Sequence, residues 1–374
     1  MKNSVCFDDV LLVPGFSSIQ SRRDIDLSVP MNNVHWVPKL PIISSPMDTI
    51  TEASMAKKML KIGGLGVIHR YNSIDEQVMI VSDVFESLHE ESNDSITAIS
   101  AAVGVSGDYI DRAKALYSAG ARILCVDVAH GHHILMKKAL KKLRNTFGNK
   151  VHLMAGNVAT LDGFNDLSDW GADSIRVGIG GGSICSTRIQ TGHGMPTLQS
   201  VIECARSDRD ALLIADGGIR TSGDIVKAIA AGADLVMVGS LLSGTDETPG
   251  DVYVDQAHQA LDVTYTAVVN DEGEVQNVEY STELGRRYKK YRGMASKEAQ
   301  VEWRGYQSSE EGVATTVDYK GPVHPILDSL EKGIRSGLSY SGASSIRELQ
   351  AIATFTKQSF SGATESSTHI LNKG

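Results

Sequence analysis

Asp173-Ser-Ile-Arg-Val-Gly-Ile-Gly-Gly-Gly-Ser-Ile-Cys-Ser-Thr-Arg188 joins a short β-type run to a glycine loop that carries a cysteine. The run Ser174–Val177 empties into Gly178, Gly180, Gly181 and Gly182, and Cys185 follows three residues after the last of them. Glycine lets a ligand approach the main chain closely, and consecutive exposed N–H groups make an anion cradle. A thiol beside a bound phosphate ester would lie in an electropositive setting that favours thiolate. A flexible turn with an incidental small residue is the plainer reading. Thr187 and Arg188 weigh against it, because a mere turn needs no such polar groups.

The same unit, an apolar strand followed by a small polar loop and a helix pattern, recurs on both sides. Strands are expected at Leu40–Ser44, Leu65–His69, Thr97–Val103, Arg122–Val126, Val151–Ala155, Ser174–Val177, Leu212–Ala215 and Leu235–Val238. Helices are expected from Thr51 to Gly63 or Gly64, from about Asp75, and from Asp108 to Ala119. Strands alternating with helices imply a parallel α/β sheet. An open doubly wound sheet fits the alternation, but a count of eight favours a closed (β/α)8 TIM barrel. Chemistry in such a barrel sits in the loops after the strands. Ser44–Asp48 follows the first strand, Asp127–Gly131 the fourth, Gly156–Asn157 the fifth and the cysteine loop the sixth. Asp216-Gly217-Gly218 and Gly239-Ser240 follow the seventh and eighth, where barrels often hold a phosphate.

The 374 residues are 41% hydrophobic, enough to bury a large core. A net charge of −9 speaks against a nucleic-acid surface. Cys6, Cys125, Cys185 and Cys204 show no paired spacing, which suits a reducing compartment. No apolar run approaches the roughly 20 residues of a membrane span, and the first residues lack the apolar core of a signal peptide. A cytoplasmic protein without nucleic-acid or membrane partners is the expectation. His69, His130, His132 and His133 lack acidic or cysteine partners at ligand spacing, so they are not read as a metal site. The whole of 1–374 is expected to be one barrel domain, broken by a flap and hairpin excursion at about 245–320. A hairpin is expected across Val263–Val278, turning at Asn270–Gly273. Thr245–Lys289 is polar, as a lid or binding loop would be, or a solvated excursion. Helices at Ile326–Arg335 and Ala343–Ala353 close the chain, before a polar tail at Ser359–Gly374 expected to be mobile.

Several long motifs now resemble one family. FDDVLLVPG at Phe7, SSPMDTITEA at Ser44, GIGGGSICSTR at Gly178 and IADGGIRTSGDIVKAIAAGADLVMVGS at Ile214 occur in order, with YRGMAS at Tyr291, YKGPV at Tyr319 and GIRSGLSYSGA at Gly333. They are similar to the inosine monophosphate dehydrogenase and guanosine monophosphate reductase family along nearly the whole chain. The dehydrogenase branch usually inserts a pair of regulatory nucleotide-binding (CBS) repeats after the second strand, and the span from His69 to Thr97 has no room for them. Asp127-Val-Ala-His-Gly131 and Gln190-Thr-Gly192 resemble the reductase. Dehydrogenases carry an adjacent Arg-Tyr pair on a long flap, whereas here Gly305 separates Arg304 from Tyr306. Glu311 lies nine residues before Lys320, the spacing of the reductase's catalytic glutamate. Val313 departs from the lysine usual in the reductase, and the 245–289 excursion is longer than either branch commonly shows.

The resemblance implies an NADPH-dependent GMP reductase that forms IMP and ammonia through a covalent thioimidate, with a CBS-lacking IMP dehydrogenase using NAD as the alternative. It assigns catalysis to Cys185, Thr187 and Glu311, with Glu310 as the competing acid. It assigns substrate binding to Ser45, Met47, Ser183, Asp216, Gly217, Gly218, Gly239, Ser240, Met294, Ala295 and Ser296, with the last three around the base. Asp127, Ala129, Asn157 and Gly178 would meet the cofactor, and K+ would meet the backbone carbonyls of Gly180, Gly182 and Cys185. A homotetramer acting on a purine nucleoside monophosphate is implied as well. A non-catalytic nucleotide sensor, the remaining alternative, would be expected to lack Cys185, Thr187 or Glu311.

Overall fold

Each expected apolar run becomes a short strand whose side chains are buried on both faces, the environment a parallel sheet covered by helices provides. The computed structural model describes residues 3–91, 98–269, 275–306 and 310–366. Eight strands close a parallel barrel: β2 (Ile42–Ser44), β3 (Leu65–Ile68), β4 (Ser100–Val103), β5 (Ile123–Asp127), β6 (His152–Val158), β7 (Ser174–Val177), β8 (Leu212–Asp216) and β9 (Leu235–Val238). Closure is direct, with Ile42, Ile43 and Ser44 in register with Val236, Met237 and Val238. The eight-strand reading, and with it the TIM barrel, is borne out. Ile43, Val67, Leu124, Ile175 and Val236 are fully buried in one continuous core.

Helices α1 (Ala53–Lys61), α2 (Ile74–Glu91), α3 (Tyr109–Ser118), α4 (Ile134–Phe147), α5 (Leu161–Asp169), the short α6 (Thr187–Thr191), α7 (Thr197–Cys204) and α8 (Ser222–Ala230) follow their strands. Local chemistry starts several of them. The Thr160 hydroxyl accepts the Gly163 N–H at the head of α5, and the Thr221 hydroxyl accepts the Asp224 N–H at the head of α8. These caps sit just beyond strand or loop ends, so each crossover begins where the barrel mouth ends.

Beyond the barrel the chain departs from the expected outline. The excursion after β9 is an ordered antiparallel pair, β10 (Tyr253–Val269) with β11 (Val275–Arg292), ten residues longer on its first strand than the expected start at Val263. Its turn at Asn270–Gly273 lies outside the described residues. The end of β11 also pairs with β12 (Ala314–Asp318), which turns Tyr291 inward, 5% exposed, against the barrel mouth. Between them, α9 (Lys297–Arg304) is capped by Ser296. The closing helices are α10 (His324–Ser341), longer at both ends than expected, and α11 (Ile346–Ile352). The opening residues Val10–Leu12 form β1 and pair with β13 (Phe355–Lys357), a long-range pairing with no local signal. Phe360–Glu365, expected within a mobile tail, forms α12; residues 367–374 lie outside the described residues. Strand β6 also runs further than expected, so that Gly156 and Asn157 belong to it, with a register shift against β7 beside them.

Candidate functional site

The loops after the barrel strands converge on a cavity of about 470 Å3 at the C-terminal mouth. Its glycine floor depends on one close approach. Gly178 has φ +153°, and a Cβ there would stand 1.9 Å from the Asp216 carbonyl oxygen. Only glycine lets the cysteine loop cross this near to the end of β8. Gly180, Gly181, Gly182 and Ser183 continue along one wall, with Gly217, Gly218, Gly239 and Ser240 beside them. Tyr291, which the sequence reading did not single out, completes this corner, its hydroxyl 3.4 Å from Ser183 Oγ. Burial raises the Tyr291 phenol above its ordinary value, so it stays a neutral donor.

Cys185 is half-buried at the turn into α6. Its thiol donates to Thr187 Oγ1 at 3.2 Å, and the Thr187 hydroxyl donates to Glu311 Oε2 at 2.9 Å. The sequence separation of 124 residues between Thr187 and Glu311 is bridged by backbone. Ser186 N–H donates to Glu311 O at 3.0 Å, Val313 N–H to Ile184 O at 3.0 Å, and Glu311 N–H to Ala295 O at 3.2 Å. Glu310 takes a different place: it is exposed, and its carbonyl accepts the Ser186 hydroxyl at 3.2 Å. A thiol, a hydroxyl and a carboxylate in this order can pass a proton between a nucleophile's reaction partner and a carboxyl group.

Arg176, on β7, organises the opposite wall, and the sequence reading missed it because a lone arginine in an apolar strand carries no motif. It is 6% exposed. Its Nε and Nη2 donate to Asp216 Oδ2 at 3.0 and 2.8 Å, and its Nη1 meets Asp127 Oδ1 at 2.5 Å. Burial by itself would lower the arginine's pKa, but Asp216 and Asp127 together drive it well above the ordinary value, so the charge is kept. Asn157 Nδ2 adds a bond to Asp216 Oδ2 at 2.8 Å and another to Gly178 O at 2.9 Å. The three bonds to Asp216 all reach Oδ2, and among the described residues Asp216 Oδ1 accepts none. That oxygen is free to accept from a vicinal diol.

Ser45, Met47, Met294 and Ala295 line the cavity, as do Asp127, Ala129 and Asn157. Ser296 does not: it is fully buried, and its hydroxyl accepts the Ala299 N–H at 3.3 Å as the cap of α9. Its place in the YRGMAS motif made it look like a pocket residue, but the motif also has to start a helix. Gly180, Gly182 and Cys185 lie close together on the cysteine loop. Gly182 O already accepts the Cys185 N–H at 3.2 Å, and the cationic Arg188 chain packs against Gly180. Among the described residues no group of three or more His, Cys, Asp or Glu stands where it could hold a metal ion. No helix among them is long and apolar enough to cross a membrane.

A (β/α)8 barrel with a thiol, a glycine-lined corner and a carboxylate around one cavity at the C-terminal mouth has the layout of a barrel enzyme. Comparison with known proteins gives the family. The model of the IMP dehydrogenase / GMP reductase domain matches residues 4–268 and 269–369. Inosine-5'-monophosphate dehydrogenase of Nitrosopumilus maritimus is 32% identical, covering 98% of both chains. GMP reductase of Leishmania major is 31% identical, covering 100% of this chain and 98% of its own. The crystal structure of a cysteine-to-alanine variant of GMP reductase from Trypanosoma brucei, in complex with guanosine 5'-monophosphate, superposes with a TM-score of 0.86 at 29% identity, covering 99% and 98% of the two chains. The chain belongs to the IMP dehydrogenase / GMP reductase family, whose members are oxidoreductases that act on purine nucleotides with nicotinamide dinucleotides.

Proposed function

We propose that this chain catalyses the NADPH-dependent reductive deamination of GMP to IMP. The observation that carries the reading is the Cys185–Thr187–Glu311 hydrogen-bond chain, held by backbone bonds from Ser186 and Ala295. In this reading Cys185 Sγ, as thiolate, bonds to C2 of the guanine ring. The exocyclic amine must then leave, and it leaves as ammonia only once protonated. Thr187 hands it a proton drawn from Glu311, and a thioimidate remains on Cys185. The reduced nicotinamide, when bound, supplies the hydride that C2 requires. Cys185 then departs from C2 with the bonding pair, releasing IMP. Written out, GMP, NADPH and two protons give IMP, NADP+ and ammonium.

The remaining residues would hold the nucleotides. Ser183, Gly218, Gly239 and Ser240, with the neutral Tyr291, would hold the 5′-phosphate, and Asp216 Oδ1 the ribose hydroxyls. Met294 and Ala295 would flank the base. Asp127, Ala129 and Asn157 line the same cavity across from the base, where a stacked nicotinamide would need them. K+ at the backbone carbonyls of Gly180, Gly182 and Cys185 belongs to the same reading. A homotetramer and a cytoplasmic location go with this reading.

The dehydrogenase reading, IMP and NAD to XMP, needs water activated at the flap. Arg304 lines the cavity, whereas Tyr306 is 63% exposed and off its lining, which supports the reductase reading over the dehydrogenase one. Ammonia release from GMP with NADPH is the test. Its absence, with XMP formed from IMP and NAD, would refute the proposal.

A further inference from the structure

The last turn of α9 carries Trp303, on which nothing in the proposed reaction yet depends. The indole lies edge-on to Tyr71, ring centroids 5.1 Å apart at 79°. Arg70 Cζ stands 5.5 Å from the indole centroid and 5.1 Å from the Tyr71 centroid, and Arg304 Cζ stands 4.6 Å from the indole. Such contacts are directional, since a cation seeks the ring face and an aromatic edge seeks another ring's π cloud. Arg70 is itself held lightly. Its Nη2 donates to the Asp127 carbonyl at 3.1 Å, and its Nε is buried without a hydrogen-bond partner. The rings and one carbonyl therefore locate it. Trp303 thus fastens the outer end of α9 to the loop after β3.

The inner end of α9 reaches the catalytic carboxyl. Ala295 O accepts the Gln300 side-chain amide at 2.8 Å and the Glu311 N–H at 3.2 Å. A tilt of α9 moves Gln300, and through the shared carbonyl it moves the backbone that aims Glu311 at Thr187. A second fastening, Glu302 to Arg292 and Arg292 to Asp48 Oδ2 at 3.0 Å, holds the same helix from the loop after β2.

We propose that Trp303 is a positioning residue for Glu311, acting through α9 and the Ala295 carbonyl. The proposal rests on the deamination reading, and its test separates the two. Misplacing a catalytic group by about 1 Å costs up to roughly 10²-fold. With the Arg292 fastening intact, Trp303→Ala should lower kcat for ammonia release by about tenfold, within that limit. The dissociation constant for GMP should rise by less than kcat falls, because the phosphate corner and Asp216 lie on other elements and only the Ala295 side of the base shares the α9 fastening. Adduct formation from IMP and NADP+, which needs no proton for a leaving amine, should be slowed far less than deamination. Trp303→Phe keeps a ring and should restore most of the rate. Equal slowing of both routes, wild-type kcat in Trp303→Ala, or no rescue by phenylalanine would overturn the assignment. Trp36→Phe/Trp170→Phe enzyme reports on the packing without any turnover, since Trp303 is then its one indole. Arg70→Ala should raise acrylamide quenching of that indole, and unchanged quenching would also overturn the proposal. A wild-type enzyme that releases no ammonia from GMP would instead refute the deamination reading, leaving the quenching result to judge Trp303.

Discussion

Glu311→Gln separates proton supply from shape. Glutamine has the same length, and its amide oxygen still accepts the Thr187 hydroxyl that now reaches Glu311 Oε2 at 2.9 Å. The backbone of residue 311 is held from both sides, by Ser186 N–H on its carbonyl and by Ala295 O on its N–H, so the side chain stays aimed. Exchanging a charge-assisted hydrogen bond for a neutral one costs about 1 kcal/mol, and the half-exposed site discounts even that. Stability should therefore change by less than about 1 kcal/mol. Deamination should fall by roughly 10²–10⁴-fold, the usual worth of a positioned general acid. At about 1.36 kcal/mol per tenfold, that is about 2.7–5.4 kcal/mol of barrier, well above the structural cost. Single-turnover release of ammonia measures the loss. Mass spectrometry of the Cys185 peptide after exposure to IMP and NADP+ measures whether the adduct still forms. Full deamination by Glu311→Gln would refute the assignment and move the relay to Glu310, whereas Glu310→Gln should leave the rate within about twofold because residue 310 is exposed and off the Thr187 chain.

Three further outcomes follow from the same geometry. Burial pushes the Cys125 and Cys204 thiols up to about 12 and also raises Cys6, so iodoacetamide at pH 8 should label Cys185 first, with saturating GMP slowing it; dominant labelling of Cys125 would contradict the burial pattern. Gly178→Ala meets both a positive φ and the Asp216 carbonyl, and should lower stability by at least about 2 kcal/mol in denaturant unfolding; a wild-type midpoint would be inconsistent with this crossing. His152 is buried between Asn32 O and Ser174 Oγ, each at 2.8 Å, and burial lowers its pKa below the ordinary value. Protonation therefore favours the unfolded chain, so the stability His152 contributes is present above about pH 6.5 and is lost as pH falls, by at most about 1.4 kcal/mol per pH unit. His152→Gln should have a lower but flatter melting profile between pH 7 and 5, and parallel profiles would exclude His152 as the cause.

The barrel could be read in the amino-acid sequence because its strands are local apolar runs, most of them ended by glycine or a small polar residue. The mouth at which the cavity opens could be read because every suspicious loop follows a strand. What escaped was set by distant partners. Arg176 looks like an interruption of an apolar strand until Asp127 and Asp216 arrive from its neighbours. Tyr291 becomes a cavity residue only because Tyr288–Arg292 pairs with Ala314–Asp318. Ser296 sits in the YRGMAS motif yet serves as a helix cap. The hairpin's extra length is carried by mixed polar sequence with weak alternation, so only its apolar centre showed a strand pattern.

A direct comparison of kcat/KM for two substrate pairs on one preparation, GMP with NADPH and IMP with NAD, decides the direction of the chemistry. The loss of reduced-nicotinamide absorbance should match ammonium formed from GMP one for one, and Cys185→Ala should abolish both while GMP still binds. XMP formed from IMP and NAD, with no ammonium from GMP under either reduced cofactor, would contradict the reductive role assigned to Cys185, Thr187 and Glu311.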